Sequence, residues 1–329
     1  MSSLAPTLQA FFTDRLMSQR AASQQTIAGY RDTFRLLLNF AAKRTRKQPC
    51  DLDLGDLDAP LVGSFLDHLE RDRSNSVRTR NNRLAAIHSF FGYASRRHPE
   101  HVASIQRVLA IPPKRFERSI VTYLSDDEVD AVLAACDRTT WTGRRDQAMF
   151  ALTIQTGLRI SELTSLTCGD VFLGTGPHVH CIGKGRKERN TPLLPRTADV
   201  LRVWLTERAG SPPEPLFPTN VGRTLSRDAI EHRLAVYTTK AAASCPSLRK
   251  KHVTTHTLRH TAAMRLLLSG VDVTVIALWL GHEQVSTTSI YLHADMSQKQ
   301  RALARTNPVG AKVGRYHAPD KLLAFLERL

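Results

Sequence analysis

Basic side chains and one tyrosine occupy short, chemically suggestive settings in the second half of the chain. They are Arg159 in TGLRISEL, Lys184 in GKGRKER, His256 and Arg259 in HTLRH, His282 in LGH, and Tyr291 in TTSIYLH. Guanidinium groups can fork onto phosphate oxygens, and a phenol becomes a nucleophile once it is activated. The set therefore suits a substitution reaction at a phosphate.

The overall charge of the chain indicates a polyanionic partner. Its 329 residues include 46 Lys and Arg against 30 Asp and Glu, a formal net charge of +16. Such an excess attracts nucleic acid, with an affinity that falls as salt rises. No stretch approaches the ~20 apolar residues that span a bilayer, and none is a basic amphipathic anchor, so we expect no membrane partner.

The cysteines and histidines do not form a recognisable metal or disulfide pattern. The five cysteines are scattered and never form CxxC, which argues against a disulfide framework or a zinc finger and favours a reducing cytoplasm. The N-terminus lacks the basic start and long apolar stretch of a signal peptide. HVHC at 178–181 alternates like a strand with two faces, a simpler interpretation than a metal site.

The N-terminal part of the chain has helical periodicity. We expect Thr26 to cap a helix through TIAGYRDTFRLLL, and Ala59-Pro60 to begin a second. A third is predicted through SVRTRNNRLAAIHSFFGYA, with its apolar residues inward and three arginines nearby, Arg78, Arg80 and Arg83. These arginines are candidate contacts to DNA phosphates, the alternative being a solvated helix face.

A composition break divides the chain at IPPKRFERSI, residues 111–120, where adjacent prolines and four charges indicate a linker. Beyond it, Ser125 followed by acids begins a helix, a helical block at 144–166 is interrupted by TGLR, and 178–194 reads as strand, turn, strand. We therefore expect a mainly α fold. Its parts are a helical N-terminal domain (1–110), the linker, a mixed α/β domain that is mostly helical with a small antiparallel sheet (121–310), and a tail with a short helix (311–329).

Taken together, the motifs resemble those of the tyrosine recombinase, or phage integrase, family. The resemblance covers most of the chain and is strongest in TGLRISELTSLTCGDV, IGKGRKERNTPLL and HTLRHTAAMRLLLSGVDVTVIALWLGHEQVSTTSIYLH. Each motif alone is common, but HxLRH, LGH and the tyrosine at matching offsets are specific as a set. The helices of the N-terminal domain resemble more loosely the family's DNA-clamping core-binding domain, which is SAM-like.

The resemblance gives each residue of the set a role. Arg159 and Arg259 would hold the nonbridging phosphate oxygens, where negative charge develops. Tyr291 would be the nucleophile, because a cationic pocket favours the phenolate of a group whose reference pKa is about 10. His256 would accept or relay the phenol proton, and His282 would hydrogen-bond a phosphate oxygen.

The leaving 5′ oxygen needs a proton, which a flexible ammonium on a hairpin can supply. Lys184 is the candidate from its place in GKG. Lys187, three residues on, is the alternative acid and otherwise a DNA contact. Glu162 is expected to cap or salt-bridge the arginine region. No cofactor is expected, because the protein's own cations do the work of a metal and the covalent intermediate stores the bond energy that ATP would otherwise supply.

By resemblance, the protein is a site-specific recombinase that cuts and rejoins double-stranded DNA through a 3′-phosphotyrosine link, in integration, excision or transposition. A homotetramer on synapsed DNA is implied, and accessory recombinases or DNA-bending proteins are candidate partners. The enzyme alternative is a type IB topoisomerase. The non-enzyme alternative is a DNA-binding regulator that has lost the chemistry, against which the intact set of residues argues.

The last residues, DKLLAFLERL, have the apolar stripe of a short amphipathic helix. In this family a terminal segment often packs onto a neighbouring subunit. The alternative interpretation is that it packs on its own domain.

Overall fold

The structure is a computed structural model that describes residues 4–116, 121–183, 187–282, 288 and 291. The chain divides into two compact units, Met1–Arg118 and Ser119–Leu329. Lys184 and the predicted C-terminal helix lie outside the described residues. In the part of the chain that is described, no helix is long and apolar enough to cross a membrane.

The first unit is helical, as predicted. Its helices are α1 (Leu4–Ala10), a π-helical stretch (Phe11–Gln19), α2 (Gln24–Thr45), α3 (Ala59–Arg71), α4 (Val77–Ala94) and α5 (Val102–Leu109). Short polar side chains cap three of them, Ser23 before α2, Asp58 before α3 and Ser76 before α4. The prediction of Thr26 as a cap is wrong, because its backbone N–H is the donor to Oγ of Ser23 at 3.3 Å.

Aromatic rings fill the centre of this unit. Phe11, Phe34 and Phe90 are buried, and the ring centroids of Phe90 lie 5.5 Å from Phe11 and 5.2 Å from Phe34 in edge-to-face contacts. Such contacts add to the free energy gained by burying the rings. The inward face of α4 is therefore the one that its apolar periodicity predicts, although Arg80 is buried on this helix as well.

Part of the predicted linker lies against the first unit. The side-chain amide of Asn81 on α4 donates to the Lys114 carbonyl at 2.8 Å, and the Lys114 N–H donates back to Oδ1 of Asn81 at 3.1 Å. The ammonium of Lys114 also donates to Glu70 on α3 at 2.9 Å. These bonds hold residues 111–116 along the first unit, although the prolines keep them from being helical.

The second unit is mostly helical with a three-stranded antiparallel sheet, again as predicted. Its elements are α6 (Asp126–Ala134), α7 (Trp141–Thr156), α8 (Ile160–Ser165), β1 (Val171–Phe172), β2 (His178–Ile182), β3 (Glu188–Pro192), α9 (Pro195–Arg208), α10 (Arg227–Ala241), α11 (Thr255–Leu268) and α12 (Val273–Leu280). The predicted start of α6 is confirmed, with Ser125 and Glu128 forming a reciprocal capping box.

The sheet runs in the order β1-β2-β3, with Val179 opposite Thr191 and Cys181 opposite Arg189. Val179 and Cys181 are buried in the core of the unit, while His178 and His180 alternate with them on the other face. The pattern HVHC is therefore a two-faced strand. The hairpin loop between β2 and β3 is closed by the N–H of Gly183 donating to the Lys187 carbonyl at 2.7 Å.

A buried ion pair fixes α7 to α10. The carboxylate of Asp146 accepts from Arg145 at 2.7 Å, and from Arg233 and the Tyr237 hydroxyl at 2.9 Å each. Arg145 and Asp146 are fully buried, and such a pair is tolerated only when its remaining polar atoms are also bonded. The Nη1 group of Arg145 meets that need by donating to the Pro218 carbonyl at 2.7 Å. The helix that leads to Arg159 is therefore held rigidly.

Candidate active site

Gly157 sets the position of Arg159. It ends α7 in the left-handed conformation with φ of +66°, and a Cβ atom there would lie 2.5 Å from Cδ2 of Leu280. Both the backbone angle and the close packing require glycine. The chain then turns so that Arg159, in extended conformation, stands immediately before α8.

Glu162 holds Arg159 in place. The Arg159 Nη1 group donates to Oε1 of Glu162 at 2.8 Å, and the Arg159 backbone N–H donates to Oε2 at 2.8 Å. Burial would raise the pKa of Glu162, but hydrogen bonds from Arg189 and Arg159 lower it to about 2. Glu162 is therefore a carboxylate at every working pH, and its predicted place as a cap and salt-bridge partner of the arginine region agrees with the structure.

Arg259 lies on α11 and ties together the ends of two helices. Its Nη1 group donates to the Gly157 carbonyl at the end of α7, and its Nη2 group donates to the Leu280 carbonyl at the end of α12, at 2.7 Å. Guanidinium donors satisfy carbonyls that have no partner within their own helix and oppose the negative end of the helix dipole. Burial, together with the nearby charge of Arg159, lowers the pKa of Arg259 to about 10, so it remains cationic at pH 7.

The two arginines converge on the residues just before His282. Arg159 donates from Nη2 to the Gly281 carbonyl at 2.8 Å, one residue beyond the carbonyl that Arg259 binds. The Arg159 side chain is 28% exposed, whereas Arg259 is 2% exposed. The structure thus brings both predicted phosphate ligands to one place, with Arg159 the more accessible of the two.

Tyr291 is buried beside two histidines of α11. Its hydroxyl lies 2.9 Å from Nδ1 of His260, and the His260 ring lies 4.4 Å from that of His256 between centroids. Burial raises the pKa of Tyr291 to about 12, against an opposing effect of Arg259. The sequence singled out His256 as the group that takes the phenol proton, but it is His260 that contacts the hydroxyl, while exposed His256 lies one ring further out.

His282 follows Gly281, which ends α12 in the left-handed conformation. Its Nδ1 atom lies 2.7 Å from Oγ1 of Thr288, which fixes the plane of the ring. Burial, then the charges of Arg259 and Arg159, lower the pKa of His282 to about 4. Burial, then the charges of His256 and Arg259, also lower the pKa of His260 to about 4. Both rings are therefore neutral at pH 7.

These two neutral histidines make stability pH-dependent. Their folded pKa of about 4 lies below the unfolded value of about 6.5, so between those limits the unfolded chain binds more protons than the folded chain. The contribution of these two histidines to the free energy of unfolding is therefore fully present above about pH 6.5 and is lost as the pH falls toward 4. We expect denaturant unfolding of the DNA-free protein to show this loss, and a His260→Gln/His282→Gln double variant to show less of it. Substituting exposed His232 on α10 is the control, and equal pH dependence in wild type and double variant would contradict the prediction.

The remaining predicted lysines are on or near the β2–β3 hairpin. Lys184 lies outside the described residues, so its role stays a prediction. Lys187 is exposed and contributes its carbonyl to the closure of the hairpin loop, which leaves its side chain directed to solvent. Both alternatives for the acid therefore stay open.

The three arginines of α4 have different environments. Arg78 is exposed. Arg80 is 5% exposed, 3.3 Å from Glu70, and donates to the Pro112 carbonyl at 3.4 Å, so its surroundings are those of a structural residue. Arg83 is half-buried, and burial, with the charge of Arg73, lowers its pKa. Arg78 is thus the best placed for a phosphate contact, and a direct contact by Arg80 is not favoured.

Arg189 is a site residue that sequence reasoning missed. It lies on β3, five residues after Lys184, and pairs with Glu162 through both guanidinium ends, at 3.0 and 2.8 Å. Its position in KERNTPLL, on a predicted strand, was a visible signal, since a charged residue must find a partner if its strand packs against a core. The identity of that partner, 27 residues away in sequence, was not visible.

Comparisons with known proteins agree with this architecture. Residues 122–298 match the phage integrase family, and residues 10–98 match the phage integrase N-terminal SAM-like domain. The chain is 55% identical over 328 residues, 100% of this chain and 99% of the relative, to "Putative integrase/recombinase y4rC" of Sinorhizobium fredii. It is 31% identical to tyrosine recombinase XerD of Pseudomonas putida, covering 91% of this chain and 96% of that one.

Solved structures share the fold. A XerH site-specific recombinase bound to a palindromic difH substrate matches with a TM-score of 0.67 at 20% identity, over 87% of this chain and 81% of that one. The Tn1549 transposon integrase in complex with a circular intermediate DNA matches with a TM-score of 0.68 at 16% identity, over 91% and 99%. From the matched regions, the full-length relative and the arrangement of the site, the chain belongs to the phage integrase family of tyrosine recombinases.

Proposed function

We propose that this protein is a site-specific DNA recombinase that cleaves and rejoins double-stranded DNA through a covalent 3′-phosphotyrosine at Tyr291. The observation that carries the proposal is the convergence of Arg159, Arg259 and His282 at the end of α12, with the Tyr291 hydroxyl bonded to His260 beside them. Arg159 reaches this place from about 100 residues earlier in the chain than Arg259 and His260, and His282 and Tyr291 follow later in the sequence. A protein that only bound DNA would have no need of a phenol beside two guanidiniums and two neutral imidazoles.

The two guanidiniums provide the electrostatic part of the reaction. Each has five N–H donors, and the bonds to Gly157, Leu280 and Gly281 use only part of that capacity. The remaining donors can bind the nonbridging oxygens of the scissile phosphate, where charge grows in the transition state. Cations that belong to the protein thereby do what a bound metal does elsewhere, so we propose that cleavage needs neither metal nor ATP and continues in EDTA.

The histidines can accept the phenol proton and donate a hydrogen bond to the phosphate. Neutral His260 can accept a hydrogen bond from the Tyr291 hydroxyl at Nδ1, and His256 lies next to it. A proton leaving Tyr291 can therefore pass to His260 and then outward to His256, toward solvent. Neutral His282, oriented by Thr288, can donate to a phosphate oxygen from its other nitrogen when Nδ1 accepts the threonine hydroxyl.

The test is suicide-substrate trapping. The substrates are duplexes that carry the DNA flanking the gene, with a nick just downstream of candidate cleavage positions. After cleavage, the short fragment that bears the new 5′ hydroxyl diffuses away and rejoining is prevented, so the protein remains attached and migrates as an adduct in a denaturing gel. Adduct formation in EDTA without ATP is expected. Relaxation of any supercoiled plasmid, with no site requirement, would favour the topoisomerase alternative, and binding without an adduct on any site would favour the regulator.

Crosslinking of the synapsed complex tests the proposed tetramer, and binding over a range of salt tests the phosphate contacts.

Replacing Lys184 tests the acid. We expect Lys184→Ala to cleave an ordinary phosphodiester about 10²- to 10⁴-fold more slowly. It should cleave a 5′-bridging phosphorothiolate at nearly the wild-type rate, because a thiolate leaves without a proton. Lys187→Ala is the matched control on the same hairpin and should respond similarly to both substrates. Leaving-group dependence in Lys187→Ala instead would assign the acid to Lys187, and equal damage to both substrates in Lys184→Ala would exclude Lys184.

A further inference from the structure

Arg189 lies where three chain segments of the site meet. Its guanidinium forms a two-point ion pair with Glu162, the carboxylate that also holds Arg159. The Arg189 side chain is only 11% exposed. Its Nε atom is buried and has no hydrogen-bond partner among the described residues. Favourable packing alone therefore does not account for the burial of this side chain. An arginine kept there at a cost in desolvation needs a reason.

Two glycines pack against this ion pair. A Cβ atom on Gly183 would lie 3.1 Å from Oε1 of Glu162 and 3.3 Å from Nη1 of Arg189. A Cβ atom on Gly281 would lie 3.1 Å from the same Nη1. Gly183 directly precedes Lys184, and Gly281 directly precedes His282. The guanidinium of Arg189 thus lies close to the glycines that precede both of those residues, and is linked to Arg159 through the carboxylate of Glu162.

The charges of this cluster also favour a functional arrangement. Glu162 contributes one negative charge between two guanidiniums, so the three groups together keep one net positive charge. If Arg189 were absent, the carboxylate would be paired with Arg159 alone. Its charge would then cancel much of the field that Arg159 projects toward a phosphate, and the carboxylate that holds Arg159 would lose the two-point ion pair that fixes its own orientation.

We propose that Arg189 is a positioning residue for strand transfer, which orients Arg159 through Glu162 and shares the charge of that carboxylate. The inference rests on the function proposed above. Arg189 itself does not touch DNA in this scheme. It sets the direction and the effective charge of a group that does, and misplacement by about 1 Å of such a group costs on the order of a hundredfold in rate.

The experiment measures single-turnover cleavage of the suicide substrate at saturating protein, with DNA affinity and thermal unfolding measured in parallel. Arg189→Ala is expected to cleave about a hundredfold more slowly than wild type with unchanged affinity for the substrate. Arg189→Lys keeps the charge but not the two-point geometry, so its cleavage rate is expected to lie between those of wild type and Arg189→Ala. Arg196→Ala is the matched control, because Arg196 is an exposed arginine of the same unit paired only at the surface with Asp130, and its rate should equal that of wild type.

A double-mutant cycle identifies the route. If Arg189 acts through Glu162, Arg189→Ala should add little to the loss already caused by Glu162→Gln, and the phosphorothiolate substrate should not restore the rate. Additive losses, restoration by phosphorothiolate, or a wild-type rate in Arg189→Ala would each overturn the proposal. Should Arg189→Ala be poorly folded, a folded Arg189→Lys with a wild-type rate would overturn it equally. Wild-type protein in the same assay distinguishes failure of the Arg189 proposal from failure of the proposed function, because only the latter predicts that wild type forms no adduct.

Discussion

Tyr291→Phe is expected to bind DNA with wild-type affinity and to form no covalent adduct. The substitution removes one oxygen atom, which is the only atom of the side chain able to attack phosphorus. The ring stays in its buried position, and the loss of the bond to His260 costs about 1 kcal/mol of stability, too little to unfold the domain. The suicide substrate provides the measurement, as an adduct band that should be absent for the variant while mobility shifts show equal binding.

Tyr237→Phe is the matched control for this experiment. It removes the same atom from another buried tyrosine of the same unit, one whose hydroxyl donates to Asp146 at 2.9 Å. Its adduct should form at the wild-type rate, with some loss of stability because the buried carboxylate loses a donor. If Tyr291→Phe trapped DNA as well as wild type, another nucleophile would be responsible and the assignment of Tyr291 would be wrong.

The surroundings of Tyr291 add a requirement for the reaction. At 1% exposure, with burial raising its pKa to about 12, the phenol of the DNA-free protein is protonated and out of reach of a phosphate. Attack requires that the hydroxyl be uncovered and its proton accepted. His260 is the nearest acceptor, and Arg259 lowers the phenol pKa against the effect of burial. We therefore expect adduct formation to lag behind DNA binding, because the hydroxyl must first be uncovered.

The sequence was sufficient for the fold class but for only part of the site, because the contact of His260 with the phenol and the ion pair of Arg189 with Glu162 were not predicted. The mainly helical fold follows from periodicity that survives in a single chain, as on α4, where the predicted inward residues are buried. The site residues were found because their motifs have fixed offsets. What periodicity cannot give is pairing between distant segments. The bonds from Arg259 to the Gly157 and Leu280 carbonyls join segments 102 and 21 residues away, and no local pattern specifies them.

The wrong helix cap and the unpredicted contact of His260 both have local physical causes. Thr26 and Ser23 are both good helix caps, and the choice between them depends on where the chain leaves the preceding π-helical stretch, which tertiary packing decides. His256 and His260 are one helical turn apart in HTLRH, so both lie on the same face of α11. Which of them meets the phenol depends on the position of Tyr291, which comes from a different segment. The sequence therefore indicated the helix face that meets the phenol, but not which of its two histidines contacts the hydroxyl, and the role of His256 stays a prediction.

The second large effect is expected at Arg259. Arg259→Lys keeps a positive charge, but an ammonium cannot bind the Gly157 and Leu280 carbonyls and a phosphate in the same plane. Because removing one donor from a developing oxyanion costs about 10²- to 10³-fold in rate, we expect single-turnover cleavage to fall by at least that factor while DNA affinity is nearly unchanged. Arg265→Lys, on the same helix with its guanidinium exposed near Asp126, is the control and should cleave normally.

The stability and the charge dependence of Arg259 variants distinguish a phosphate ligand from a structural arginine. Arg259→Ala leaves two carbonyls of buried helix ends without their donor, at a cost of about 1–3 kcal/mol each, so its thermal unfolding should occur at lower temperature. A structural role predicts only that loss. If Arg259 also neutralises the scissile phosphate, Arg259→Lys should be impaired much less on a methylphosphonate substrate, whose reacting group carries no negative charge. An equal loss on charged and neutral substrates would restrict Arg259 to holding α7 and α12 together, and would leave Arg159 as the phosphate ligand.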